Sequence, residues 1–155
     1  MTYSSCPTDI VNAPVNVVWS LLTDPAGWEK VFDVRIVEIR PRGPAAVAQT
    51  IYAETGPSFL HLKVEIQFFK IDSAHYALGL NVRLPFQLMV YESLSCVPLN
   101  VEQTLVNYRC DFSLPPGWRG VFIRVALRRK FNTGPADSLR RLKRAAEERY
   151  ALTRA

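Results

Sequence analysis

Long apolar runs are missing from this 155-residue chain. No uninterrupted stretch approaches the ~20 residues a membrane span needs. Cysteine is scarce. Cys6, Cys96 and Cys110 form an odd set with no Cys-x-x-Cys and no Cys/His pair at metal spacing. That argues against a disulfide framework and suits a reducing compartment, with the thiols read as small buried apolar groups. Residues 1–9 hold no basic cluster and no apolar core, so they do not read as a signal peptide. A cytoplasmic location is the expectation. Histidine is limited to His61 and His75, too isolated to suggest a metal site. A phosphate-binding glycine loop, a dinucleotide fingerprint and a zinc-protease motif are all absent. No cofactor and no metal are therefore expected. Ser20, Ser93 and Ser95 have no His/Asp arrangement in the sequence that supports nucleophilic catalysis.

What is present describes a folded domain. Hydrophobic residues make up 48% of the chain and charged residues 21%, which excludes a disordered polymer. A chain this long buries roughly two thirds of its unfolded surface, and residues 1–155 read as a single domain. The net charge of +5 is unevenly placed. Residues 1–115 carry −3, whereas residues 116–155 carry +8. Such a segment offers a weak, salt-sensitive contact to anionic surfaces, or lies simply as a solvated helix face. Nucleic acid is the less expected partner.

Residues 2–12 read as a strand. Asn12-Ala13-Pro14 opens a helix with Pro14 at its first position, and Val15, Val18, Trp19 and Leu22 share one face. A second short helix falls in 26–31. From Phe32 to Phe112 the pattern has a period near two, with strands expected at 33–41, 46–54, 59–70, 75–84, 87–97 and 102–113. No helical segment separates them, so the sheet is antiparallel. The end is helical. Trp118, Val121, Phe122 and Val125 form an apolar face to about Phe131. Asn132-Thr133-Gly134 interrupts the helix, and Pro135 restarts it. Leu139, Leu142, Ala146 and Tyr150 continue the buried stripe.

The opening Asp9-Ile10-Val11-Asn12-Ala13-Pro14-Val15-Asn16-Val17-Val18-Trp19, with Asp24-Pro25 and Trp28 after it, resembles the polyketide cyclase/dehydrase and lipid-transport family. That family belongs to the StAR-related lipid-transfer-like, or helix-grip, superfamily. Thr104 to Phe112 is similar to its last strand, and Ser138 to Lys143 to its final helix. The resemblance implies an α+β helix-grip fold. In that fold a curved seven-stranded antiparallel sheet wraps a long C-terminal helix, with two short helices between strands 1 and 2. It also implies an apolar small molecule held between sheet and helix, in a family that includes carriers and cyclases.

Strand parity assigns the inner face. The inward sets are Leu60, Leu62, Val64, Ile66 and Phe68, then Tyr76, Leu78, Leu80, Val82 and Leu84. Leu88, Val90, Glu92, Leu94 and Cys96 follow, then Thr104, Val106, Tyr108, Cys110 and Phe112. Glu92 alone breaks the apolar rule. A hairpin turning about Asn100 places it directly opposite Tyr108. A carboxyl there loses hydration and its pKa rises, which suits a general acid or base, with Tyr108 as hydrogen-bond donor. Two other readings stand beside this one: a core polar group satisfied by Tyr108 and a water, or a one-residue bulge that turns Glu92 to solvent. Trp118 and Phe122 are expected to face the cavity from the helix. Candidate ligand contacts are then Tyr76, Leu78, Leu80, Val90, Leu94, Val106, Cys110, Trp118 and Phe122. His61 and His75 fall on the outer face, and Trp19 and Trp28 read as core anchors. Binding of a hydrophobic small molecule is the leading expectation. A cyclase, aromatase or dehydratase using Glu92 is the alternative, and an interaction protein using the basic helix is a third.

Overall fold

The computed structural model describes residues 2–56 and 61–155. The chain runs β1 (Thr2–Ser5), β2 (Thr8–Val11), α1 (Val15–Leu22), a 3-10 turn (Pro25–Gly27), α2 (Trp28–Val31), β3 (Arg35–Arg40), β4 (Thr50–Thr55), β5 (Leu62–Asp72) and β6 (Ala77–Leu84). After a tight turn at Pro85–Gln87 come β7 (Leu88–Asn100), β8 (Gln103–Ser113) and α3 (Trp118–Arg154). All strands join one antiparallel sheet in the order β1-β8-β7-β6-β5-β4-β3, with β2 also on β8. The sheet is thus seven strands across. Its first strand is split, because Pro7 has no N–H to give the ladder. The register nevertheless runs on from Thr2↔Ser113 to Val11↔Thr104, and the Pro7 carbonyl accepts from the Tyr108 N–H at 3.0 Å.

Period-two patterning is realised on the inner face. Val64, Ile66, Phe68, Leu78, Leu80, Val82, Leu88, Val90, Leu94, Cys96, Val106, Tyr108, Cys110 and Phe112 are buried. Leu62 and Leu84 are half-buried. Leu60 lies outside the described residues. Tyr76 is not in a strand: it turns the β5–β6 hairpin at φ 50, and its half-buried ring meets Trp19 edge-on at 5.8 Å. A bulge between Phe68 and Lys70 lays the Phe69 ring over Gly79, 2.5 Å from where a Cβ would stand.

Helix α1 begins one residue later than the sequence suggests, with Pro14 as N-cap in extended geometry. Val18 and Leu22 are buried from it, and Trp28 follows, its Nε1 donating to the Leu22 carbonyl at 3.3 Å. Trp28 packs on Phe68 at 5.5 Å. One end of the interior is therefore filled by rings and branched side chains.

Helix α3 is continuous over 37 residues, with Pro135 inside it. The expected interruption at Asn132–Gly134 does not occur. Proline removes one hydrogen bond to the preceding turn, but Pro135 is itself buried in line with Phe131 and Leu139. Packing of that stripe holds the helix through the defect. The C-terminal half is tied down firmly. The Asn12 backbone N–H and side-chain amide donate to Glu147 at 2.9 and 3.0 Å. Lys143 pairs with Asp9 at 3.1 Å, and Arg154 and the Tyr150 hydroxyl reach Glu102 at 3.2 and 3.1 Å. The N-terminal half is held loosely. From Trp118 to Lys130 only Gly120 is buried, with Ile123 and Leu127 half-buried.

Candidate functional site

Glu92 lies mid-strand on β7, the strand between β6 and β8, and its side chain points to the inner face. Its partners are Leu80 on β6 and Cys110 on β8. This corrects the expected pairing, since Leu94, not Glu92, stands opposite Tyr108. The turn falls at Val101-Glu102, with Asn100 paired to Gln103 and a register shift after Pro98. The ladder is therefore offset by two residues from a turn centred on Asn100. An even offset preserves which face each side chain takes, so Glu92 stays inside and Tyr108 becomes its diagonal neighbour, within reach of a long side chain.

The electrostatics follow from that place. Loss of hydration pushes the Glu92 carboxyl from 4.5 up to about 7, and polar contact with the Tyr108 hydroxyl offsets part of the rise. Desolvation first, and then the nearby Glu92 charge, hold the Tyr108 phenol well above its ordinary range. Cys110 is raised by burial and then by Glu92. Cys96 is pushed up to about 12 by burial alone. Neither buried thiol is a thiolate at neutral pH, so Glu92 is the one inner-face group poised to exchange a proton there among the described residues. Glu92 is only half-buried by surface, although its carboxyl has lost most of its hydration. It borders space instead of being packed on all sides.

Of the other candidates, Leu78, Leu80, Val90, Leu94 and Cys110 lie on the inner face around Glu92, Val106 lies further along that face opposite Cys96, and Tyr76 sits at its rim. Trp118 and Phe122 do not face inward. They are 75% and 67% exposed, because α3 turns Gly120, Ile123 and Leu127 toward the sheet. Gly120 permits that orientation: a Cβ there would stand 2.0 Å from the Pro115 carbonyl oxygen. His61 and His75 are exposed, beside Glu54 and Asp72. Cys6 is exposed, not buried as the composition suggested. Among the described residues no group of three His, Cys, Asp or Glu is placed to hold a metal ion, and no helix is long and apolar enough to cross a membrane.

Two open surface clefts lie away from Glu92. One, of about 640 Å³, runs between Asn12, Glu102, Gln103, Glu147, Tyr150 and Arg154. The other, of about 610 Å³, lies along Ile36 to Ile39 and Arg42 to Pro44. Sequence reasoning missed Gln49, which is buried and donates from Nε2 to the Pro41, Gly43 and Pro44 carbonyls at 2.8, 3.2 and 3.3 Å. A buried glutamine anchoring a loop has no pattern that distinguishes it from a surface one.

Comparison with known proteins agrees with this architecture. The family described as polyketide cyclase / dehydrase and lipid transport matches residues 8–147. Norcoclaurine synthase from Thalictrum flavum, solved in complex with dopamine and hydroxybenzaldehyde, superposes with a TM-score of 0.68 at 15% identity, over 96% of this chain and 88% of that one. An aromatase/cyclase from Streptomyces sp. R1128 gives 0.73 at 16% identity, over 96% of both chains. Major latex-like protein 151 from Panax ginseng gives 0.68 at 12% identity, over 96% and 97%. No curated protein matches the sequence. At these identities the solved structures speak for the fold alone.

Proposed function

The chain belongs to the polyketide cyclase/dehydrase and lipid-transport family, and from that premise we propose that it binds a hydrophobic small molecule between the inner sheet face and α3. The observation that carries this reading is Glu92. A carboxyl stripped of hydration that still borders space lies among Leu78, Leu80, Val90 and Leu94. Apolar walls with a few placed polar groups are what small-molecule sites are built from. The loosely held first half of α3 offers the way in. A lipid or polyketide-like ligand with one oxygen near Glu92 and Tyr108 fits this lining. Native mass spectrometry of protein purified from cells tests it. The expected result is an added mass that is extracted by organic solvent. Bare chain, together with no saturable uptake of a fluorescent fatty-acid probe, would refute it.

A second reading has its own observation. A carboxyl near pH 7 is matched to moving protons at neutral pH, and Tyr108, held protonated, can donate to a developing enolate oxygen. The chemistry would be of the cyclase, aromatase or dehydratase type, with Glu92 as base. Glu92→Gln should then abolish turnover of a poly-β-keto substrate mimic while its binding persists. Turnover surviving that change would sink the catalytic reading and leave the binding one intact.

A further inference from the structure

The first turns of α3 carry two apolar stripes on opposite sides. Gly120, Ile123, Leu127 and Phe131 face the sheet. Trp118, Val121, Phe122 and Val125 recur at i, i+3, i+4 and i+7, and they are exposed to 75, 57, 67 and 72%. We propose that this outward stripe docks the protein on an anionic lipid bilayer. The proposal goes beyond the interior-ligand reading and does not depend on it.

Charge supports a lipid occupant. No acidic residue lies between Pro116 and Ala136. Arg119, Arg128, Arg129 and Lys130 are exposed along the same turns. An apolar stripe with indole and phenyl rings, bordered by cations, is the pattern of a helix lying in the headgroup plane. Arg119 sits 5.9 Å from the Trp118 ring, so the cation and the aromatic present themselves together. A second copy of the chain is a poorer fit, since a two-fold contact would set these cations against each other. Nucleic acid would leave Val121 and Val125 without apolar partners.

A second element points the same way. Phe86 is 76% exposed on the β6–β7 turn, where Phe86 and Gln87 both take left-handed φ, 65 and 60. Such φ values are unfavourable for residues other than glycine, and here they hold a phenyl ring in solvent. Met89 pairs with Ser113, so this turn lies at the end of the sheet from which β8 leads into α3. Phe86 and the Trp118 stripe thus share one end of the molecule.

Co-sedimentation of the full chain with vesicles tests the proposal. Phosphatidylcholine alone should not retain it. Vesicles with about 30% phosphatidylglycerol should retain it at about 50 mM salt and release it at about 500 mM. Trp118→Ser/Phe122→Ser should weaken binding at least about tenfold. Arg128→Gln/Arg129→Gln should weaken it about 30-fold. All four positions are exposed, so melting curves should match wild type. Should a variant fold poorly, wild-type tryptophan emission decides instead, since Trp118 must shift to shorter wavelength on the anionic vesicles. No retention at low salt, retention indifferent to Trp118 and Phe122, or unmoved emission would overturn the proposal. So would a wild-type dimer that the Trp118/Phe122 variant abolishes, which would assign the stripe to self-association.

Discussion

Replacing Glu92 by glutamine removes a single ionisation from the interior and leaves the shape intact. The folded carboxyl sits at about 7 against an ordinary 4.5. Between those values the folded state keeps a proton that the unfolded state has released, so stability falls as pH rises. It is fully present below about 4.5 and lost by about 7 or just above. At ~1.4 kcal/mol per pH unit, the window amounts to about 3 kcal/mol. Glutamine cannot ionise, so Glu92→Gln should gain about that much on wild type between pH 4.5 and 8. For a chain of this length that is a relative gain of about 6–12 °C in Tm. Urea unfolding of both proteins at intervals across the range supplies the comparison. Taking the difference cancels the histidines and carboxylates the two share. A difference that stays constant from pH 5 to 8 would refute the account, because Glu92 would then titrate alike folded and unfolded.

Three further outcomes follow from particular contacts. Tyr108→Phe removes the polar contact that favours the carboxylate, so Glu92 should titrate above about 7; carbon NMR of labelled glutamate would show this, and a fall would contradict it. Gly79→Ala drives a Cβ into the Phe69 ring and should cost about 1–2 kcal/mol, much of it recovered in a Phe69→Ala background; equal costs in both backgrounds would mean the ring is not the obstacle. Phe68→Ala, at a fully buried position, should cost about 3–5 kcal/mol by chemical denaturation.

The inner face was legible because strands have a period of two and this sheet is covered on one side. Val106, Tyr108, Cys110 and Phe112 obey that rule without exception. The β7–β8 register was not legible. Val97 to Gln103 contains no glycine to mark its turn, and the shift after Pro98 has no local signature. The two-residue error changed Glu92's partners but not its face. In α3 the pattern offered two apolar stripes. Trp118, Val121, Phe122 and Val125 are the more hydrophobic, yet the less obvious stripe faces the sheet, because Gly120 alone fits beneath Pro115. Hydropathy ranks faces by transfer energy and cannot see a backbone clash. The break expected at Asn132–Gly134, before Pro135, failed for a related reason. The propensity cost is local, whereas Phe131, Pro135 and Leu139 are buried together.

Pairing of the first strands with β8 sets the order of events during synthesis. Thr2 meets Ser113 and Val11 meets Thr104, so these strands have no ladder partner until about a hundred further residues have been made. At ~5–20 residues per second this is a wait of about 5–20 s. The hairpins from β3 to β7 form between neighbours and can zip as they emerge. β1 and β2 then complete the sheet on the edge that β8 presents, closing the largest loop within it. Vectorial folding of this sheet therefore runs from the middle outward, and its slowest strands to settle, β1 and β2, are made well before the strand they pair with.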